Sequence, residues 1–314
     1  MELNNSQLKN YRDRIKFSRE DKLKYQNQID NLISSINSKI AEQTDTKVTK
    51  VLQCGSWKKG TIIKPTEEIP IDIDLVFFLD IDTNEYDSLY QVHDLILPIL
   101  KSIYPQKSDD DFWDNPKTAG VEFIDSGLNV DIVPVGKTSD PDYVAQPDKD
   151  FAIYFTSPQK QLDFISERKE ANTNYKTIVR LLKKWRNFQN VELSSFAIEL
   201  IVAHLDINKG IESDIREAIL RFFKLIGKKK FPVILFNAPY GSYEDDGSHV
   251  YIADPTNEEN NIVKSVSNTE WTIVKKRADT AFETLLLADG EENMMPTIDL
   301  WKEVFGNDFN INEN

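Results

Sequence analysis

Along residues 1–42, Leu23, Ile29, Leu32, Ile33, Ile36 and Ile40 recur mostly three or four positions apart, one apolar stripe on a polar helix. Ser18, with Asp21 three residues on, predicts its N-terminal cap. Lys47–Gln53 alternates with the period of a strand, and Trp57–Ile63 reads as a short helical turn. Ile71–Leu79 is apolar throughout beyond Asp74, the pattern of a strand covered on both faces. Tyr86–Ile103 predicts a helix interrupted at Pro98, and Val121–Asp125 and Asn129–Val135 predict two strands joined through Ser126-Gly127. Residues 138–158 carry Pro141, Pro147 and Pro158 among polar residues and read as a linker or crossover. Beyond them the period is helical: Asn174–Phe188, Phe196–Leu205 (apolar all round, hence buried), Ser213–Ile226 and Trp271–Leu287, the last capped by Asn268 or Thr269. The pattern predicts an α+β chain: a mixed core over residues 1–145 that includes a long N-terminal helix, packed on a helical lobe over 146–314. The polar tail Asn307–Asn314 reads as a loosely held end.

Composition narrows the function. Of 314 residues, 40% are hydrophobic, ample for a core. Lys+Arg number 38 against 52 Asp+Glu, a net charge of −14, which argues against long nucleic acid as a partner because that needs many phosphate-neutralising cations. One cysteine, Cys54, excludes an intrachain disulfide, and with three histidines it excludes a cysteine-rich zinc site. Cys54 itself reads as a small buried hydrophobe. The N-terminal residues lack the apolar run of a signal peptide, and no window is long and apolar enough to span a membrane, so a soluble cytoplasmic location is expected.

The chemistry concentrates in carboxylates. Asp72 and Asp74 stand two apart in a strand, so both point to one face. Like charges that close repel unless a cation offsets them, and a hard divalent ion takes such oxygen ligands. Asp131, near the start of another apolar strand, is the natural third carboxylate; Asp125 and Asp109–Asp111 are weaker candidates, in a turn and a charged loop. Gly55-Ser56 follows a strand and offers close-approach backbone and a hydroxyl, with Lys58 and Lys59 nearby. Lys176, Arg180 and Lys183 form a basic stripe on one helix; the pattern alone leaves open a solvated face or a phosphate-facing one. Ser195 reads as the cap of the buried helix, Phe196 as core, and His93, His204 and His249 are too scattered to form a ligand set.

The string Gln53-Cys54-Gly55-Ser56-Trp57-Lys58-Lys59-Gly60-Thr61, then Asp72-Ile73-Asp74-Leu75, then Val130-Asp131-Ile132-Val133-Pro134, resembles the DNA polymerase β-like nucleotidyltransferase superfamily. Leu182-Lys183-Lys184-Trp185, Ser195-Phe196 and Ala253-Asp254-Pro255-Thr256-Asn257, with Asn260-Asn261 behind, resemble its bacterial cGAS/DncV-like branch, the CD-NTases of CBASS anti-phage defence. The likeness spans about residues 15–290. It implies a polymerase β-like core, a mixed sheet with flanking helices, bridged to the helical lobe by the long N-terminal helix. It implies a nucleotidyltransferase that joins NTPs into a cyclic di- or trinucleotide second messenger, which in turn reaches a downstream effector. Asp72, Asp74 and Asp131 would be catalytic and hold two Mg²⁺ ions, replaceable by Mn²⁺, with Asp131 nearest the acceptor hydroxyl. Gln53 lies in the donor-binding string, in which Gly55 and Ser56 would hold the β- and γ-phosphates; Lys183 and Ser195 would add phosphate contacts, and Phe196 would stack on the donor base. Without the zinc insertion of the animal enzymes, DNA activation is not expected, and basal activity or a regulatory protein partner takes its place. A linear 2′-5′ oligonucleotide synthase, an RNA- or tRNA-tailing enzyme and an inactive nucleotide-binding module share the same core and are the competing readings.

Overall fold

The computed structural model describes residues 1–66, 69–82, 86–147 and 152–312. Helices α1 (Asn5–Ile15) and α2 (Arg19–Gln43) are followed by β1 (Val48–Gln53), the short α3 (Gly55–Lys59), β2 (Ile71–Leu79) and α4 (Tyr86–Ile103). A single 3₁₀ turn at Asp109–Asp111 leads into β3 (Phe112–Asp114), β4 (Ala119–Phe123), β5 (Leu128–Lys137), β6 (Val144–Pro147) and β7 (Ile153–Thr156). Helices α5 (Pro158–Ala171), α6 (Tyr175–Phe188), α7 (Ser195–Lys209) and α8 (Ile215–Lys228) come next. Strands β8 (Val233–Ile234), β9 (Tyr251–Asp254) and β10 (Asn257–Asn261) precede α9 (Asn268–Gly290) and α10 (Met294–Phe305). None of the helices described is long and apolar enough to cross a membrane.

Internal packing divides the chain into two compact units. The first comprises residues 17–60 and 64–162, and is built on a sheet in the order β1-β2-β5-β4-β3 with β6 and β7 joined through β5. β2 and β5 run parallel; the β1–β2, β4–β5 and β3–β4 pairs are antiparallel. Period-2 alternation sets one face: Ile71, Ile73, Leu75, Phe77 and Leu79 of β2 and Leu128, Val130 and Ile132 of β5 are buried. Ile29, Leu32, Ile36 and Ile40 of α2, and Leu89, Val92, Ile96 and Ile99 of α4, are the buried faces of the two long helices. Leu23, counted in the same stripe, is 63% exposed, so the buried stripe begins at Ile29. Ser18 caps α2 as predicted, its hydroxyl accepting from the Asp21 N–H while the Asp21 carboxylate accepts from the Ser18 N–H.

The described residues of 138–158 are not a plain linker: β6 pairs with β5 and β7 pairs with β6, and the packing division follows Leu162. Pro147 is tolerated because it is the last residue of β6, where the ladder ends. The N-terminal region is also two helices, α1 counted with the second unit and α2 with the first.

The second unit comprises residues 1–16, 61–63 and 163–314. Its core gathers Trp185, Phe222, Phe223, Trp271, Trp301 and Phe305, all at most 1% exposed. Two caps differ from the reading by one residue. Ser194, not Ser195, caps α7, its hydroxyl accepting from the Ala197 N–H at 3.0 Å; Ser267, not Asn268 or Thr269, caps α9. In each case several small polar residues stand in a row, and the cap falls to the one whose backbone is extended. As far as Asn312 the tail is held as well, its last two residues lying outside the described ones: Phe309 and Ile311 are buried, and Phe309 packs edge-on against Tyr11 at 4.5 Å between ring centres.

Candidate active site

Strand register assembles the acidic side of the site. Asp74 of β2 pairs with Asp131 of β5 in the parallel ladder, and Asp72 pairs with Asn129 two residues earlier on the same face. Asp72 is exposed while Asp74 and Asp131 are half-buried. The same row continues across the sheet, since Asp131 pairs with Gly120 of β4 and Gly120 with Trp113 of β3. Trp113 Nε1 donates to Asp131 Oδ1 at 2.8 Å, and Thr118 Oγ1 donates to the same oxygen at 2.9 Å. Neither residue is recognisable from motif reading. The Asn115-Pro116 pair is the signal that could have found them: proline follows the first residue of a tight turn in which the Asn115 N–H donates to the Thr118 carbonyl at 2.8 Å. Further along the β2 face the surroundings turn apolar, with Leu52, Val76, Val135, Val144 and Leu162 packed together and Cys54, Phe78 and Val133 against them.

The Gly55 segment lies against Asp74. The Cys54 N–H donates to the Asp74 carbonyl at 2.8 Å, continuing the β1–β2 ladder past Gln53, which pairs with Leu75. Gly55 has φ +61, and a Cβ there would stand 1.7 Å from Asp74 Oδ2. Only glycine adopts that backbone cheaply and leaves room for the carboxylate. Ser56 follows, half-buried, in the first turn of α3. Trp57 is buried among Phe17, Tyr25 and the Lys22 ammonium, which anchors α3 to α2. Burial, with the Asp74 charge adding to it, pushes the Cys54 thiol up to about 12, so it stays protonated at neutral pH. The weaker acidic candidates have local work: Asp125 is exposed beside its turn, Asp109 pairs with Lys101, and Asp111 accepts from the Ser108 N–H.

The three aspartates supply hard oxygen donors, the set that suits a magnesium-like cation, and register puts them on one face of neighbouring strands. Among the described residues no three acidic, histidine or cysteine side chains are yet drawn together as a ligand group. Asp131 has one oxygen committed to Trp113 and Thr118. The donor chemistry and the register fit a divalent ion.

In the second unit the basic stripe divides. Lys176 is exposed, whereas Arg180 and Lys183 are 8% and 2% exposed. Arg180 Nε donates to the Ile62 carbonyl at 3.3 Å, and burial, with Arg12 nearby, lowers its pKa to about 10. Lys183 Nζ lies 3.6 Å from Glu199 Oε1 and donates to the Thr61 carbonyl at 3.4 Å; Thr61 in turn donates its hydroxyl to Glu199. Ser195 is half-buried in the first turn of α7, and Phe196 is half-buried against the core. The Asp254-Pro255-Thr256-Asn257 segment is a tight turn: Asp254 is buried and accepts from both the N–H and the hydroxyl of Thr256 at 2.8 Å. His93 is buried on α4, His204 accepts from Asn208, and His249 exchanges a hydrogen bond with Ser248.

A mixed sheet that sets a Gly-Ser turn beside an Asp-x-Asp strand, with a third aspartate on the parallel neighbour, is the core of a polymerase β-like nucleotidyltransferase. Comparison with known proteins narrows the class. Residues 1–172 match the family model for the Second Messenger Oligonucleotide or Dinucleotide Synthetase (SMODS) domain. The chain is 31% identical over its whole length to the CBASS oligonucleotide cyclase CdnC of Escherichia coli strain KTE188, covering 99% of that protein. It is 28% identical, over 91% of both chains, to the cyclic AMP-AMP-AMP synthase of Escherichia coli strain MS 115-1. A structure of E. coli MS115-1 CdnC in complex with HORMA-deltaN aligns with 97% of the chain and 98% of its own at a TM-score of 0.76 and 25% identity. Vibrio cholerae DncV in its apo form shares the fold at a TM-score of 0.71 and 12% identity. The chain therefore belongs to the SMODS family, the CD-NTases of CBASS defence, and is a nucleotidyltransferase that makes an oligonucleotide second messenger. Enzymes of this family generally use divalent metal ions.

Proposed function

We propose that this enzyme condenses NTPs, ATP foremost, into a cyclic trinucleotide with two Mg²⁺ ions at Asp72, Asp74 and Asp131. The observation that carries the reading is the pairing of Asp74 with Asp131 beside the bare backbone of Gly55. Magnesium there supplies charge neutralisation on the phosphates and a lowered hydroxyl pKa. A ribose hydroxyl of one nucleotide attacks the α-phosphate of another, a P–O bond forms, and the bond to pyrophosphate breaks. Asp131 stands at the acceptor hydroxyl. Gly55 and Ser56 hold the donor phosphates, with Gln53 beside them in the donor-binding string, and a side chain at Gly55 would collide with Asp74. Ser195 would add a phosphate contact and Phe196 would stack on the donor base; Lys183, 2% exposed and paired with Glu199 and Thr61, serves instead inside the second unit. Positioning and electrostatics do most of this catalysis.

The relative named as a cyclic AMP-AMP-AMP synthase, together with a CdnC structure with ATP (TM-score 0.76, 25% identity), supports adenine and a three-membered ring over a dinucleotide. The CdnC:HORMA complex supports a HORMA-type regulatory partner. The net charge of −14 speaks against an RNA or tRNA acceptor. The test is a product assay: purified protein with α-labelled NTPs and Mg²⁺, alone and with a HORMA-type protein, then phosphatase, chromatography and mass spectrometry. A phosphatase-resistant species with the mass of a cyclic trinucleotide is expected. A linear oligonucleotide as the end product would replace this reading with a 2′-5′ synthase, a cyclic dinucleotide would revise the ring size, and NTP binding without pyrophosphate release would mark an inactive module.

A further inference from the structure

We infer that Trp113 and Thr118 are positioning residues for Asp131: the β3–β4 hairpin exists at this point in the sheet to fix the orientation of that carboxylate. The inference rests on the proposed role of Asp131. One row runs Asp74, Asp131, Gly120, Trp113 across four strands. Trp113 is therefore two strands from Asp131, roughly 10 Å at the backbone by ordinary strand spacing. The indole spans that distance only because the intervening residue has no side chain. A Cβ at Gly120 would lie 2.2 Å from Trp113 Cε2 and Cζ2 and 2.4 Å from Nε1. The ring occupies the space a Cβ at Gly120 would take and brings its N–H to Asp131 Oδ1 at 2.8 Å.

Thr118 reaches the same oxygen from the other end of the hairpin. It closes the Asn115–Thr118 turn, and its hydroxyl donates to Oδ1 at 2.9 Å. Two donors on one oxygen restrain both side-chain torsions of Asp131, and neither bond uses Oδ2. The hairpin tip is itself braced, with the Lys117 ammonium 3.3 Å from the centre of the Tyr154 ring on β7. Phenylalanine would fill the Trp113 site for packing alone. Tryptophan is what supplies an N–H at that reach.

The test compares Trp113→Phe, Thr118→Val, Thr118→Ser and Asp131→Asn. Turnover is followed as pyrophosphate release, and Mn²⁺ binding without nucleotide is followed by electron paramagnetic resonance. Trp113→Phe and Thr118→Val are each expected to lower kcat roughly 10- to 100-fold, the range typical of groups that orient a metal ligand, and to weaken Mn²⁺ binding. KM for NTP is expected to stay within about twofold, because neither residue is placed on the nucleotide. Thr118→Ser, which keeps the hydroxyl, is expected to restore kcat and Mn²⁺ affinity. Asp131→Asn separates the two readings. If it is inactive while Trp113→Phe and Thr118→Val match the parent in kcat and Mn²⁺ binding, the positioning role is wrong and the Asp131 assignment stands. If Asp131→Asn remains active, the assignment itself falls and the inference with it. A rise in KM at unchanged kcat would make Trp113 a substrate contact and overturn the inference. Thr118→Val changes one atom, so it decides the matter should Trp113→Phe fail to fold.

Discussion

Gly55→Ala and Gly60→Ala make a matched pair. Both glycines have left-handed backbone, φ +61 and φ +68, but an added Cβ meets Asp74 Oδ2 at 1.7 Å at Gly55 and nothing within 4 Å at Gly60. A left-handed alanine costs about 1–2 kcal/mol, partly offset by the about 0.4–1 kcal/mol gained from a stiffer unfolded chain, so Gly60→Ala should lose about 1 kcal/mol. Gly55→Ala carries the same strain and also displaces the Asp74 carboxylate. That oxygen must retreat from 1.7 Å to at least 3.0 Å, a shift of at least 1.3 Å. Forcing the side chain off its rotamer adds about 0.5–1.5 kcal/mol, for about 2 kcal/mol in all. At roughly 2–4 °C per kcal/mol for a unit of this size, Tm should fall by about 3 °C in Gly60→Ala and about 6 °C in Gly55→Ala. The catalytic difference is far larger. A misplacement of about 1 Å can cost about 100-fold in rate, so Gly55→Ala should lose at least that in kcat, while Gly60→Ala keeps kcat within a few-fold. Thermal unfolding and pyrophosphate release, measured on both variants below their transitions, check the two numbers. Equal turnover in the two variants would refute the claim that Gly55 is glycine in order to seat Asp74.

Two further predictions concern a half-buried thiol and a buried ion pair. Cys54 is held protonated, its thiol raised from 9.0 to about 12, so native alkylation by iodoacetamide should be slow at pH 8 and keep climbing about tenfold per pH unit well above pH 9, where the unfolded chain levels off. The thiolate fraction falls about 1000-fold and the higher basicity returns about 20-fold of nucleophilicity, leaving native alkylation roughly 50-fold slower than in denaturant; equal rates would place the thiol in water. Lys183→Met strands the Glu199 carboxylate, 1% exposed, and should destabilise the second unit by about 3–5 kcal/mol in a denaturant titration. Lys183→Met with Glu199→Leu should recover at least half of that, and a double variant no more stable than the single would show that the pair is not coupled.

Much of the fold was legible along the chain because it depends on short-range rules. β2 and α4 fall where the apolar run and the helical period put them, at Ile71–Leu79 and Tyr86–Ile103. The Ser18 cap needed only its neighbours three residues on. Parity within a strand was enough to put Asp72 and Asp74 on one face. Where several rules competed locally, the reading slipped by a residue, as with Ser194 beside Ser195, because capping follows the backbone angle and not the side-chain type. The strands β6 and β7 were hidden by prolines whose positions matter only once the ladder is known.

The sequence by itself determined the class of chemistry: which residues are carboxylates, which face they take within a strand, and the glycine that precedes a serine. Tertiary structure decided which groups meet. That Asp131 stands opposite Asp74, that Gly55 makes room for Asp74, and that Trp113 crosses Gly120 to reach Asp131 are facts of strand order and register. The periodicities read along a chain repeat every two or 3.6 residues and say nothing about which strand pairs with which. That choice belongs to the packing of the whole sheet, and it is the sheet that brings these residues together.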